Sequence, residues 1–322
     1  MAGITSSSGG GYSLFSTRTG KTKRAKISRA ARRESLVGYL FASPWLVSLL
    51  IFTAYPVLAA LYYGFTRYNV LQPAVWVGLD NYRQMLFEDQ LFWKSLYNTV
   101  YYALFSVPPG LALALYLALL LNQKVPGISF FRSMFFLPSI VPVVAASVVW
   151  AWILNPEFGL INDMLGRLGL YRPPWLTSPT WSKPAFILMS LWGIGQTTII
   201  FLAGLQDVPV HLYEAAEIDG ANGLRKFISV TIPLLTPTIF FNLVTGIIGA
   251  FQIFSQVYII SEGGPLWSTL FYVYYLWRRA FQFFNMGYAS ALALVLFVII
   301  LGLTLVVLMT SNKWVYYEAE QK

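Results

Sequence analysis

Six long stretches of the sequence contain no charged residue, and these stretches limit the folds that the chain can adopt. They are residues 35–66, 95–123, 133–156, 184–206, 227–261 and 280–312. The shortest has 23 residues. At about 1.5 Å of rise per helical residue, even this stretch crosses a hydrocarbon core of about 30 Å. Each stretch is therefore long enough to span a bilayer.

The composition agrees with a membrane protein, since 57% of the 322 residues are hydrophobic and only 11% are charged. In hydrocarbon the backbone must satisfy its own hydrogen bonds, which leaves helices or closed barrels. The six runs lack the alternation of barrel strands. Buried helices of a large soluble protein would need charged outer faces, which these runs do not have. The sequence predicts an all-α, polytopic protein with six transmembrane helices.

The orientation depends on the basic amino-terminal tail, because the first 33 residues hold eight of the 22 Lys and Arg residues. The positive-inside rule places this tail in the cytoplasm, and six crossings return the carboxyl terminus there. The other loops alone do not favour this orientation. We expect residues 1–34 to be disordered or to lie along anionic lipid. Residues 35–312 form the transmembrane domain, and residues 313–322 form a cytoplasmic tail. The position of the charge argues against nucleic acid as a partner.

The spans lack the residues that several classes of protein need. No ionisable side chain lies in any of them, whereas ion-coupled carriers commonly place such groups within the membrane. The chain has no cysteine, so thiolate metal sites are excluded. It also has no paired carboxylates at one depth and no metal-ligand spacing such as H-E-x-x-H. The sequence predicts no catalytic, metal or cofactor site in this chain, and any energy for transport would come from outside the membrane.

Several predicted spans contain proline, among them Pro108 and Pro109 in the second and Pro138 and Pro142 in the third. Proline removes a backbone donor and tends to kink a helix. We expect kinks at these positions.

The predicted cytoplasmic connection of residues 207–236 is long and has its own helical signals. Pro209 can begin a helix, and Gly220 or Gly223 can end it. Glu214 and Glu217 are three residues apart and share a face. Small alanines lie between them, so another protein could approach closely. A docking knob and a solvated loop helix both remain open from these residues alone.

This connection resembles the EAA loop of the permease subunits of bacterial binding-protein-dependent ABC importers. The matching residues are Glu214-Ala215-Ala216, Asp219-Gly220-Ala221 and Ile232-Pro233. Other segments resemble the carbohydrate-type permeases, similar to those for maltose and glycerol 3-phosphate: Phe158-Gly159-Leu160-Ile161-Asn162, Trp175-Leu176, Gly263-Gly264-Pro265, Thr269, Ala280-Phe281 and Gly287-Tyr288-Ala289-Ser290-Ala291. The resemblance runs from about residue 36 to the carboxyl end.

The resemblance implies a type I ABC importer fold in the bacterial cytoplasmic membrane, with both termini in the cytoplasm. It implies that the loop helix enters a cleft on separate ABC ATPase subunits, which bind the ATP. Glu214 would pair with a basic group there, Gly220 would allow the turn that ends the helix, and the alanines would pack in the cleft. The implied coupling residues are Glu214, Ala215, Ala216, Asp219, Gly220 and Ala221. Further implied partners are a second, distinct permease subunit and an external solute-binding protein.

The solute path is assigned to polar and aromatic residues of the fourth and fifth spans. Amides can bind sugar hydroxyls and rings can cover an apolar sugar face. The candidates are Trp192, Gln196, Thr197, Asn242, Phe251, Gln252 and Gln256. Each could instead join helix to helix. Disaccharides, oligosaccharides, polyols and glycerol-phosphate esters all stay open as solutes, and the lack of charge in the spans favours neutral sugars.

Two alternatives stay open from the sequence. The first is a secondary carrier or channel that needs no ATPase. The second is a scaffold that transports nothing.

Overall fold

Helices dominate the computed structural model, which describes residues 29–316. Most of the predicted amino-terminal tail and the last six residues of the predicted carboxyl-terminal tail lie outside this range. Residues 29–34, which the sequence assigned to the tail, form the start of the first helix. The described chain divides into two units, residues 29–56 and residues 57–316.

The helices, in chain order, are α1 Arg29–Leu49, α2 Tyr55–Tyr63, α3 Asp80–Arg83, α4 Gln90–Leu121, α5 Ile128–Ile140, α6 Val143–Ile153, α7 Leu160–Arg167, α8 Ser182–Trp192, α9 Gly195–Asp207, α10 Val210–Ile218, α11 Gly223–Lys226, α12 Ile232–Phe251, α13 Ser255–Ile260, α14 Tyr272–Trp277 and α15 Met286–Ser311. Short π-helical segments lie at Leu50–Ala54, Gln84–Glu88, Phe227–Thr231 and Arg278–Gln282. Strands β1 (Thr66–Arg67) and β2 (Val75–Trp76) pair antiparallel, with Thr66 opposite Trp76.

The first unit is a helical segment that presents apolar side chains on all sides. No side chain between residues 33 and 56 is buried, and Phe41 and Phe52 are 82% and 75% exposed. Exposed apolar surface all round a helix is suited to lipid rather than to water.

The described residues contain four helical spans long and apolar enough to cross a membrane: Arg33–Tyr63, Gln90–Leu121, Gly223–Ile260 and Met286–Ser311. Two bent pairs of helices, α5 with α6 and α8 with α9, also pass this test together. Counting each bent pair as one span gives six. Each of these spans overlaps one of the six charge-free stretches, but the third and fourth are broken rather than continuous.

The break between α5 and α6 is a bend of 97° at Val141 and Pro142. Val141 is extended, with φ −69° and ψ 127°, because a residue that precedes proline is disfavoured in the helical region. The break between α8 and α9 is a milder bend of 46°. Gly193 caps the end of α8 there, and glycine is a poor residue for a helix interior.

Helix α4 stays continuous through Pro108 and Pro109, where the sequence predicted a kink. Its 32 residues extend over about 48 Å. Pro138 likewise lies inside α5 without ending it. Of these four prolines, the one at a helix boundary is Pro142, which precedes the first residue of α6.

Two apolar clusters pack along α4 and define its two ends. One cluster joins Ala114, Ala118 and Leu121 of α4 to Phe201 and Leu205 of α9. Because α9 leads directly into α10, we call this the loop end of the bundle. The other cluster joins the first half of α4 to α8, α14 and α15. We call this opposite end the distal end.

A buried carboxylate joins three helical elements at the distal end. Asp89 caps α4, since its Oδ1 accepts hydrogen bonds from the backbone N–H groups of Leu91 and Phe92 at 3.0 and 3.2 Å. Its Oδ2 accepts the hydroxyls of Tyr275 and Tyr288, which belong to α14 and α15.

Arg279 completes this cluster, with its guanidinium 3.2 Å from the Asp89 carboxylate and 2.7 Å from the Tyr275 hydroxyl. Burial of Asp89 acts to raise the pKa of its carboxyl group. The hydrogen bonds from Tyr275 and Tyr288 and the Arg279 charge outweigh that effect, so the pKa lies below its ordinary value.

Two further polar contacts hold the connection between α13 and α14, and the start of α14, against α4. The Asn98 side-chain amide donates to the carbonyls of Trp267 and Leu270 at 2.9 and 3.1 Å. The Thr99 hydroxyl accepts the backbone N–H of Tyr272 at 2.9 Å. Asn98 and Thr99 are fully buried, and these partners satisfy polar groups that would otherwise be costly to bury.

The start of α15 packs directly on the strand pair. The Gly287 N–H donates to the Tyr68 carbonyl at 3.0 Å. A Cβ atom at Gly287 would overlap the Thr66 carbonyl oxygen. Glycine is required here by the close approach of two backbones.

Candidate functional site

The loop of residues 207–236 contains the short helix that the sequence predicted. Pro209 precedes α10, and Gly220 ends it in the left-handed region, at φ +73°. The N–H of Ala221 donates to the carbonyl of Ala216 at 2.9 Å, which is the bond of a Schellman cap. Gly223 begins α11 instead.

Two contacts hold α10 to the start of the next span. The Lys226 ammonium lies 2.7 Å from the Glu217 carboxylate. The Tyr213 hydroxyl lies 2.9 Å from the Thr231 hydroxyl. The hydrogen bond and the charge of Lys226 lower the pKa of Glu217. Since Glu217 is exposed, this pair orients the helix more than it stabilises the fold.

The exposed surface of α10 and α11 carries large apolar side chains beside charged ones. Ile218 is 87% exposed, and Val210 and Leu224 are also exposed. Glu214 lies on this exposed surface and makes no ion pair with any residue between 29 and 316. A large exposed apolar side chain at a loop tip is typical of a protein interface. Leu224 and Val210 were missed by the sequence analysis, which weighed charges and alanines there.

The other predicted coupling residues lie on the same short helix or just after it. Ala215 and Asp219 are exposed, whereas Ala216 and Ala221 are half-buried. Gly220 is exposed, and a Cβ built on it meets no atom. The structure thus brings the six predicted coupling residues together at the loop end, and their role remains a prediction.

A cavity of about 670 Å³ lies between α4, α9 and α12. Among residues 29–316, no charged side chain lines it. Its polar lining residues are Tyr102, Ser106, Ser190, Gln196, Thr197, Asn242, Thr245, Gln252, Ser255 and Gln256.

Five of the seven predicted path residues line this cavity: Gln196, Thr197, Asn242, Gln252 and Gln256. The other two do not. Trp192 packs edge-on against Trp150, with ring centroids 6.0 Å apart. Phe251 is buried in the distal apolar cluster. The assignment of these seven residues to a solute path is still a prediction.

The side-chain amides that line the cavity differ in whether they already make a hydrogen bond within the protein. Asn242 donates to the carbonyl of Thr238 on its own helix at 2.9 Å. The amides of Gln196, Gln252 and Gln256 have no such partner among residues 29–316. They can therefore bind a polar solute without breaking an existing protein contact.

Helix ends form part of the cavity wall. Gly193 and Ile194, at the break between α8 and α9, line it, as do Gln252 and Ile253 after the end of α12. Non-helical backbone at membrane depth is tolerated where it lines a wet cavity, because water or solute can satisfy the freed groups. The break between α8 and α9 and the end of α12 are therefore parts of the cavity wall.

The sequence analysis missed Tyr102 and Ser106 in the cavity wall. They are four residues apart on α4, and their spacing places both on one helix face. This spacing is visible in the sequence, but it lies in the second span, whereas the predicted path residues belong to the fourth and fifth. Between residues 29 and 316, no group of three or more His, Asp or Glu side chains could hold a metal ion.

Residues 110–312 match the family described as binding-protein-dependent transport system inner membrane component. The chain is 43% identical to the probable ABC transporter permease protein YesP of Bacillus subtilis, over 92% of this chain and 97% of that protein. It is 36% identical to the sulfoquinovosyl glycerol transport system permease protein SmoG of Agrobacterium fabrum, over 85% and 90% respectively.

The fold is similar to that of a solved bacterial ABC transporter involved in the import of the acidic polysaccharide alginate. The TM-score is 0.78 at 25% identity, and the match covers 88% of this chain and 97% of the other.

Proposed function

Since this chain belongs to the family of binding-protein-dependent transport system inner membrane components, we propose that residues 207–236 dock on a cytosolic ATPase and that the cavity receives a saccharide. The chain is a membrane permease subunit of an ATP-driven importer of the carbohydrate type, and it is not itself catalytic. Membership sets aside the secondary carrier, the channel and the scaffold.

The exposed surface of α10 supports ATPase docking. Ile218 and Val210 offer apolar contact area, and Glu214 offers an unpaired carboxylate beside them. An apolar centre with a charge at its edge is the usual anatomy of a protein interface. The ATPase cleft would supply an apolar pocket and a basic side chain.

The connection from the loop to the cavity supports a mechanical role. Helix α9 ends at Asp207, just before the loop, and carries Gln196 about 16 Å away. Helix α12 begins at Ile232, just after the loop, and carries Asn242 about 15 Å away. Both helices that flank the loop line the cavity, so movement of α10 reaches both of its walls.

The cavity chemistry supports a polyhydroxy solute. Unpaired amides and hydroxyls can bind sugar hydroxyls, and Tyr102 and Phe254 in the lining offer rings. SmoG is named for the transport of sulfoquinovosyl glycerol. We propose a saccharide or related polyol as the solute of this chain.

We further propose the remaining parts of the assembly, which the family membership supports. An extracytoplasmic binding protein delivers solute to the distal end, and a second, distinct permease supplies the other half of the path. In this arrangement the loop end and both termini face the cytoplasm.

Site-specific cross-linking tests the docking site. The chain has no cysteine, so Ile218→Cys gives a single thiol at the loop. We expect it to cross-link to a co-purified ATPase, with a yield that changes on addition of ATP. Leu168→Cys, which is also exposed but lies directly after α7, is the control and should not. Labelling of Ile218→Cys by an impermeant maleimide added outside intact cells would refute the docking role.

Charge reversal tests the role of Glu214. We expect Glu214→Lys to insert and assemble as the parent does but to lose ATP-driven uptake. Glu157→Lys, at an exposed position after α6, is the matched control and should keep uptake. Normal uptake by Glu214→Lys would show that this carboxylate does not carry the coupling.

A further inference from the structure

Two lysines at the distal end mark the positions where two spans enter the membrane. Lys94 immediately precedes the charge-free stretch 95–123, and Lys183 immediately precedes the stretch 184–206. The two charged groups therefore lie at the boundary between water and hydrocarbon. Membrane proteins place interfacial anchors at this depth.

The two lysines lie beside one aromatic face of α4. Lys94, Tyr97 and Tyr101 are spaced three and four residues apart, which puts them on one side of the helix. The Lys183 ammonium lies 5.1 Å from the ring centroid of Tyr97 and 5.1 Å from that of Tyr101. It also donates to the Asn98 side-chain oxygen at 3.3 Å. The rings and the amide fix the position of this ammonium.

Neither lysine has an acidic partner in the described part of the chain. Its ion pairs are Arg167 with Asp163, Lys226 with Glu217 and Arg279 with Asp89. Two aromatic rings and one neutral amide contact the Lys183 ammonium, and Lys94 lies on the same side of α4 as those rings. An oxyanion would complete this arrangement.

Below the lysines, toward the loop end, the same side of α4 is apolar and exposed. Leu104 and Phe105 are 60% and 46% exposed. The Phe105 ring lies 4.7 Å from the Tyr101 ring, which continues to Tyr97 at 6.2 Å. An apolar stripe with positive charge at the membrane–water interface is complementary to a phospholipid, whose phosphate lies at that interface above its acyl chains.

We propose that Lys94 and Lys183 bind the phosphate of an anionic phospholipid, with its acyl chains lying along Tyr101, Leu104 and Phe105. The unpaired pair of positive charges selects a head group with net negative charge. A zwitterionic lipid carries its own ammonium, which the lysines repel. This site is separate from the loop and from the cavity.

The test compares binding of phosphatidylglycerol and phosphatidylethanolamine with matched acyl chains to the purified full-length complex, by native mass spectrometry. We expect the preference for phosphatidylglycerol to fall about fivefold for Lys94→Gln and about thirtyfold for Lys94→Gln with Lys183→Gln. Lys183→Arg keeps the charge and should keep most of the preference. Lys313→Gln, an exposed lysine just after α15, is the control and should change nothing.

Two results would overturn the proposal. One is an unchanged lipid preference in the double variant. The other is capture of a second polypeptide instead of lipid by a photoreactive group at Tyr97, since a protein would then cover this face. Lys94 is exposed, so Lys94→Gln keeps the test decisive if substitution of the half-buried Lys183 reduces folding.

Discussion

Removal of the Asp89 carboxylate should destabilise the distal end more than any surface charge change. In Asp89→Ala, the cap of α4 is lost, which costs about 1 kcal/mol. Arg279 is then left without its partner while its side chain is only 25% exposed. Breaking a buried pair costs about 3–5 kcal/mol. Because Arg279 keeps some access to solvent, we expect a total loss of about 3 kcal/mol in the free energy of unfolding.

Two partial variants separate the contributions. Asp89→Asn can still cap α4 but removes the charge, so it should be milder than Asp89→Ala. Tyr288→Phe removes one hydrogen bond to the carboxylate and should cost about 1.5–3 kcal/mol. The expected order of stability is wild type, then the two partial variants, then Asp89→Ala.

The assay is thermal unfolding of the purified complex in one detergent, followed by loss of the monodisperse peak. The control is Asp163→Ala, which breaks an exposed pair with Arg167 at 2.9 Å. Exposed pairs contribute between about 0 and 1 kcal/mol, so this variant should melt close to the wild type. Equal melting of Asp89→Ala and Asp163→Ala would refute the reasoning.

Three further predictions concern acid, packing and transport. Because the folded-state pKa of Asp89 is low, its charge stabilises the fold above the ordinary carboxyl pKa, and this stability is lost as pH falls through the folded-state pKa. The melting temperature should therefore be constant from pH 5 to 8 and fall in acid. Asp89→Asn should make that fall smaller. Gly287→Ala would press a methyl group against the Thr66 carbonyl and should cost about 1–3 kcal/mol by thermal unfolding; a normal melt would contradict this packing. If Gln196 binds solute as proposed, Gln196→Ala removes one hydrogen bond and should lower maximal sugar uptake about five- to tenfold. Gln72→Ala, at an exposed position in the strand connection, should leave uptake unchanged; equal uptake by the two variants would remove Gln196 from the path.

The six spans were predictable because a charge-free run leaves a chain few other options. The breaks in the third and fourth spans were not predictable, because hydropathy does not distinguish a proline that ends a helix from one inside a helix. Helix α4 runs through Pro108 and Pro109, packed against α8, α9 and α12 along its length. At Pro142 the chain instead turns by 97°. Tertiary packing decides which proline ends a helix, and these tertiary contacts cannot be predicted from the pattern of a single sequence.

The loop and the cavity also differ in how far the sequence predicts them. Local signals predicted that α10 ends at Gly220 or Gly223, and the positive φ lies at Gly220. Cavity residues depend on how each helix is rotated. Phe251 was nominated for its ring, yet that ring faces the apolar cluster, while its neighbour Gln252 faces the cavity. Adjacent residues at a helix end point in different directions, so residue type alone could not separate them.

The distances along α9 and α12 set how little motion would be needed to change the cavity. A side chain about 16 Å from a pivot moves through an arc of about 3 Å when its helix tilts by 10° or so. That arc equals one hydrogen-bond length. A tilt of about 10° at the loop ends of these two helices would therefore be enough to make or break a contact between Gln196 or Asn242 and the proposed solute.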